Sequence, residues 1–227
     1  MKITKPSLTI LLLSLIILSA TSIDSANQKN RFDLQLPSQG DQFIYKGIVK
    51  WGEDPNPRQK EVTWPVEVVE VMTRGSYHIA KLSGFPDDLI GFYDFDTEEP
   101  KPVERYYIIE KQTGEIYISD TLPSLTQSAL KQLKEEQTYL NLSDPPRRKK
   151  PYSDWVLESK SAGSIDDIQG IPQGQYQQYA FAERTMSGTS TIEFVPKIGV
   201  VAFKHVHNGS ISEIDLKLIE IKHSTNR

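Results

Sequence analysis

The sequence predicts a mainly β protein: a curved antiparallel sheet or half-barrel with one amphipathic helix. Most segments after residue 40 alternate apolar and polar side chains with the two-residue period of half-buried strands. These segments are short and divided by turn residues, so the sheet is expected to curl or close. A single stretch, 124–138, carries helical spacing instead.

In FIYKGIVKW (43–51), Phe43, Tyr45, Val49 and Trp51 share one parity, and Lys46 and Lys50 take the other. GEDPNPRQKE follows as a loop too rich in proline to pair. VTWPVEVVEVM (62–72) places Val62, Trp64, Val66 and Val68 on one face. Its parity changes near Glu70, which predicts a bulge there or a sheet edge at Pro65. After Gly75, YHIAKLSGF reads as the next strand.

VERYYIIEKQTGEIYIS (103–119) reads as a hairpin. A loop Gln112-Thr113-Gly114 sets Lys111 opposite Glu115 and Ile109 opposite Tyr117. The pairing shorter by one residue opposes Glu110 to Glu115, which like charges disfavour.

The helix begins at Ser124, with Gln127 at the capping-box spacing. Leu125, Ala129, Leu130 and Leu133 form its apolar stripe, suited to packing on a sheet. DPPRRKKP (144–151) is a basic, proline-rich loop with no interleaved aromatic residue, and it divides the β structure into halves. Five further strands follow: YSDWVLES, QYQQYAFAERT, TSTIEFV, GVVAFKHVH and ISEIDLKLIEIK.

Lys2 and Lys5, the apolar run Leu8–Leu18 and the small residues Ala20-Thr21-Ser22 have the layout of a secretory signal peptide. The run is shorter than the ~18 residues a membrane span needs, so cleavage near Ile23 is expected, with no stable transmembrane span afterwards. The expected organisation is a signal peptide at 1–22, a flexible segment at 23–40 and a single β domain at 41–223. The protein is thus expected to be secreted or periplasmic.

The formal charge is −4, and loss of the two leader lysines takes it to −6. With no basic stripe, nucleic acid is an unsuitable partner. Cysteine is absent, which excludes disulfides, thiol catalysis and thiolate-bound zinc.

His205 and His207 stand just before Asn208-Gly209 in a chain with four histidines. A two-residue type I′ turn there pairs His207 with Ser210, His205 with Ser212, Phe203 with Ile214 and Lys204 with Glu213. Both imidazoles then lie at the polar end of the face that carries Phe203, bonded to Ser210, Ser212 or water. The other reading is a metal-dependent or acid–base hydrolase built on His205 and His207, with His78 completing the set. DFDTEE (94–99) resembles the start of a calcium loop, but Glu99 stands where glycine is needed and Arg105 where glutamate is needed. Asp87-Asp88 and Asp166-Asp167 read as solvated turns.

GFPDDL (84–89) after a strand, together with FVPKIGVVAFKHVHNGSISEIDLKLIE (194–220), resembles a group of secreted bacterial proteins of unknown function. The second segment looks like the end of TapB-type domains, although Lys197 and Asn208 replace the glycine and histidine common there. The resemblance implies a curved half-barrel like that of periplasmic lipoprotein carriers, and no activity.

The expected function is that of an exported, non-enzymatic protein without a cofactor. Its expected partner is an apolar small molecule or lipid, or an envelope protein; a structural or adhesive envelope module is a further reading. The residues expected to face a ligand are Tyr45, Trp51, Trp64, Tyr107 and Phe203 from the sheet, with Leu125 and Leu133 from a helix lying over the cleft.

Overall fold

The alternating segments pair as their periodicity requires. β1 (Gln42–Gly52) and β2 (Arg58–Arg74) set Tyr45 opposite Trp64 and Val49 opposite Lys60. Tyr45, Val49, Trp51, Trp64, Val66 and Val68 are buried on the inner face. Outside, Lys46 meets Glu61 at 3.2 Å. This arrangement comes from a computed structural model that describes residues 32–34, 36–52, 56–90, 100–122, 124, 126, 138–143, 155–209 and 211–224.

β2 starts earlier than expected. Arg58–Glu61, assigned to the loop from sequence, pair with Ile48–Trp51 while their own side chains stay exposed or nearly so. Proline excludes only its own N–H from a ladder. Pro65 sits where β1 alone flanks the strand, because pairing with β3 (Tyr77–Ser83) runs from Glu67 to Arg74. The parity change is a bulge between Val68 and Glu70.

β4 (Glu104–Glu110), β5 (Glu115–Ser119) and β6 (Thr138–Asn141) continue the first meander. β7 (Val156–Ile165), β8 (Gly174–Arg184), β9 (Gly188–Val195), β10 (Gly199–His207) and β11 (Ile211–Lys222) make the second. All belong to one sheet in the order β6-β5-β4-β3-β2-β1-β11-β10-β9-β8-β7. The fold is nearly all antiparallel β, curled into a nearly closed barrel.

The barrel stops short of closure for a reason of strand direction. Every ladder is antiparallel, and β6 lies five strands from β1 on one side, β7 five strands on the other. Both therefore run the same way. Parallel neighbours cannot be joined by a tight turn and need a crossover of about a dozen residues or more. Residues 142–155 supply it. Across the gap Lys160 Nζ donates to the Leu142 carbonyl at 2.9 Å, and the Tyr139 and Trp155 rings meet edge-to-face at 5.2 Å.

Two hairpin registers differ from expectation. Glu110 does oppose Glu115, and Ile109 opposes Ile116. The like charges are tolerated because each carboxylate has its own donors. Glu110 accepts from the Thr113 N–H at 2.7 Å, and Glu115 from the Thr113 hydroxyl at 2.9 Å and the Tyr117 hydroxyl at 2.7 Å. In β10–β11, Phe203 opposes Leu216 and His205 opposes Ile214, two residues from the expected register. A type I′ turn needs positive φ at both central residues. Gly209 has it, at 112°, but Asn208 does not. Asn208 instead donates its N–H to the Ser187 carbonyl at 2.8 Å. A shift of two residues preserves the faces, so Phe203 and His205 stay buried inside.

No α-helix occurs among the described residues. The segment expected to form one lies largely outside them, Leu125 and Leu133 included, as do 94–99 and 144–151. Its end is corrected: Thr138 begins β6, which pairs with β5.

Candidate functional site

One end of the barrel, where β1 begins and β11 ends, contains an apolar cavity of about 60 Å³. Tyr45, Tyr107 and Phe203 line it from the strands, as alternation predicts. Pro37, Phe85 and Ile198 close it from turns, which have no periodicity to read. Tyr139 of β6 also lines it and was missed, because its segment reads as helix. Half-exposed Phe43, Tyr139 and Val200 lie at its rim.

Local irregularities shape this end. β1 shifts register against β11 between Ile44 and Tyr45, and β10 shifts against β9 between Val200 and Ala202. Bulges re-aim side chains and interrupt ladders. Here the Val200 carbonyl accepts the Tyr45 hydroxyl proton across the interior at 2.7 Å. Burial pushes the hydroxyl pKa values of Tyr45, Tyr107 and Tyr139 well above the ordinary tyrosine value, so all three remain protonated donors.

The turn at Pro86–Leu89 holds Phe85 against the cavity. Trp64 Nε1 donates to the carbonyls of Gly84 at 2.8 Å and Phe85 at 3.2 Å. Trp64 thus braces the wall from behind. Trp51, opposite Ser212 near the far end of β1, does not line the cavity either. Of the five aromatic candidates, three come together there and the two tryptophans do not.

In contrast to the solvated turn read from the sequence, the Asp88 side chain is buried and that of Asp87 is only partly exposed, at 28%. Arg105 Nη1 lies 3.1 Å from Asp87 Oδ1, and Nη2 lies 2.7 Å from Asp88 Oδ1. The second contact is an ion pair without hydrogen-bond alignment, and Asp88 Oδ2 accepts the Val103 N–H at 2.9 Å. The Asp88 side chain has 0% exposure. Burial raises both carboxyl pKa values, against the pull of Arg105 on each and of the Val103 N–H on Asp88.

The histidines occupy separate places. His205 Nδ1 lies 2.9 Å from Ser190 Oγ of β9, not from Ser210 or Ser212. His78 Nε2 donates to the Pro37 carbonyl at 3.0 Å. His205 is level, through Ile214 and Val49, with Lys60 of β2, whereas His78 is level with Thr73. The two levels are separated by on the order of 40 Å of strand at the usual rise per residue. One ion cannot bind both. No group of three or more potential ligands forms a metal site among the described residues.

No protein-family model and no curated protein matches the chain; the TapB-like resemblance is therefore without a family match. Among solved structures, the chain is similar to a Bacteroides fragilis protein described as exported and of YmcC-like fold. The identity is 13% over 83% of this chain and 98% of that one, with a TM-score of 0.41. It is also similar to a Parabacteroides distasonis protein described as a lipoprotein, at 14% identity, 84% and 98% coverage and a TM-score of 0.39. Likeness at this level carries no argument about function.

Proposed function

We propose that the chain is an exported, non-enzymatic binding protein whose barrel interior takes the end of an apolar ligand. The observation that carries this reading is the cavity itself, lined by aromatic and aliphatic side chains at an open barrel end. At about 60 Å³ it is far smaller than the ~300–1,000 Å³ of pockets that enclose whole drug-sized molecules. The site therefore admits the end of a molecule, with the remainder lying outside the rim. Export is supported by the basic start and apolar run of residues 1–22.

Binding is tested by titrating a polarity-sensitive naphthylamine dye into the protein and into a Val200→Trp variant, which fills the rim. Loss of at least tenfold in dye affinity in the variant is expected from steric exclusion. Dye binding that is absent, or unaffected by the tryptophan, would remove the reading.

A further inference from the structure

The part of the ligand outside the cavity has a place to lie, an inference that rests on the binding reading above. The β7–β8 hairpin projects past the end of β9: Gly174–Gln178 pair with β7 alone, and pairing with β9 begins only at Tyr179. Beside this overhang, the turn at 195–198 and the segment at 32–34 border an open groove of about 880 Å³. Ile198 lines both the groove and the cavity. Phe194, which lines the cavity, is followed directly by Val195, which lines the groove. Val200 at the cavity rim is two residues beyond Ile198, a span of at most about 7 Å. A chain leaving the cavity therefore reaches the groove within a few carbons.

Alternation along β8 sets the groove's chemistry. Phe181, Tyr179, Gln177 and Gln175 share one face, which passes from buried rings within the barrel to exposed carboxamides beyond it. Gln173, just before β8, adds a third carboxamide. Gln177 Nε2 donates to the Ser161 and Gln178 carbonyls, and Gln173 Nε2 to the Asp166 carbonyl, so none of these bonds uses a carboxamide oxygen. A carboxamide both donates and accepts, as a hydroxyl group does. Among the described residues, the charged side chains that line the groove are Asp33 and Lys197, paired with each other at 3.0 Å. A charged head group is attracted to one and repelled by the other. Neutral hydroxyl groups match the carboxamides without that opposition.

We propose that the cavity and the groove form one site for a neutral amphiphile with a polyhydroxyl head, of the alkyl glycoside class. The apolar end enters the cavity, the chain crosses the rim at Val200, and the head bonds to the carboxamides of Gln173, Gln175 and Gln177. The groove's volume is within the ~300–1,000 Å³ of small-molecule pockets, so it accommodates a whole sugar head where the cavity takes only a chain end.

The test uses n-octyl β-maltoside below its micelle concentration, with 1-octanol, octyl sulfate, octyltrimethylammonium and free maltose for comparison. Affinities are read by displacement of the naphthylamine dye and, for maltose, by ligand-observed NMR. The maltoside is expected to bind about tenfold or more tightly than 1-octanol, the effect of one or more net hydrogen bonds, and more tightly than every other probe. A Gln175→Ala, Gln177→Ala double variant should lose the advantage over octanol while binding octanol as before. Both side chains are exposed, so the variant leaves the core intact. Val200→Trp should weaken maltoside and octanol alike. Equal binding of maltoside and octanol by the natural chain overturns the head-group proposal and leaves apolar binding standing. Tighter binding of either charged amphiphile overturns it, as does an advantage that survives the double variant. Maltose bound as tightly as its octyl glycoside overturns the joining of groove and cavity into one site. Binding of no amphiphile, in a protein that does bind the dye, also overturns the proposal; failure to bind even the dye removes the underlying reading.

Discussion

His205 and Ser190 face each other across β10 and β9, Nδ1 to Oγ at 2.9 Å, on the inside of the barrel. Burial, then the neighbouring His207, lowers the His205 pKa. Burial also lowers that of His78, opposed by the Pro37 carbonyl and assisted by Lys111. The unfolded chain thus binds protons near the ordinary value of ~6.5 that the fold does not accept. Stability from these groups is full above that value and is lost as pH falls through it toward the lower folded values. The thermal midpoint is expected to fall between pH 7 and pH 5, and to fall less in a His78→Gln, His205→Gln double variant. Parallel pH profiles for the two proteins would place the sensitivity in other groups.

Arg105 pairs with the buried Asp88 carboxylate and with the partly exposed Asp87 carboxylate. Arg105→Gln is expected to destabilise the protein by about 3 kcal/mol at neutral pH, the usual effect of leaving buried charge uncompensated. Because the folded pKa values of Asp87 and Asp88 are raised, both acids take up protons as pH falls, and the penalty for ionised carboxylates then disappears. Urea denaturation at pH 7.5 and pH 5 should show a smaller loss at the lower pH. An equal loss at both would mean that the arginine acts through packing on Phe85, 5.6 Å from its guanidinium.

Gly47 of β1 has no room for a side chain against β11. A Cβ there would lie 1.8 Å from the Asp215 carbonyl oxygen and 2.8 Å from its carbon, both backbone atoms. Neither atom can move without opening the ladder that joins the two meanders. Gly47→Ala is expected to cost about 3 kcal/mol or more by denaturant titration, in the upper range for single substitutions. Gly75→Ala meets nothing within 4 Å and carries only the strain of a positive φ of 61°, so it should cost about 1 kcal/mol. Equal losses would show that β11 yields at this point.

Lys160 holds the β6–β7 gap through the Leu142 carbonyl. Lys160→Met keeps the aliphatic stem and removes the donor, with an expected loss of about 1–2 kcal/mol. Hydrogen exchange should quicken at Tyr139–Leu142 and Val156–Lys160 and stay unchanged in β1 and β11. Faster exchange throughout would mean that the gap is part of the global folding unit.

Face assignment was legible in the sequence because it depends on parity alone. Tyr45, Tyr107 and Phe203 were placed inward from alternation, and the Val68–Glu70 bulge from its failure. Register was less legible because turn residues have other possible partners. Asn208 bonds to Ser187 of a neighbouring loop, and Glu110 finds donors within its own turn, so neither obeys the local rule that predicts its hairpin. The pairing of Arg105 with Asp87 joins residues brought together only by the path of the chain between β3 and β4. Of the cavity, the strand residues Tyr45, Tyr107 and Phe203 were legible from alternation and the turn residues that close it were not. The cavity depends on which inward side chains stop short of one another once turns such as 37, 85 and 198 have closed the barrel end.

The place where the two meanders join also bears on how the chain could be rewired. Gln42 lies opposite Lys222, and the Asp41 carboxylate receives the Ser224 N–H at 3.1 Å, so the two ends of the sheet-forming sequence are neighbours. A circular permutant opened within 142–155, and linked from Ser224 to Ser38, would run β7 through β11 and then β1 through β6. That is the spatial order of the sheet itself. Each ladder would then connect consecutive strands, contact order would drop, and folding should accelerate. In the natural order the β1–β11 ladder spans nearly the whole domain, so the central seam cannot zip until the last strand is available.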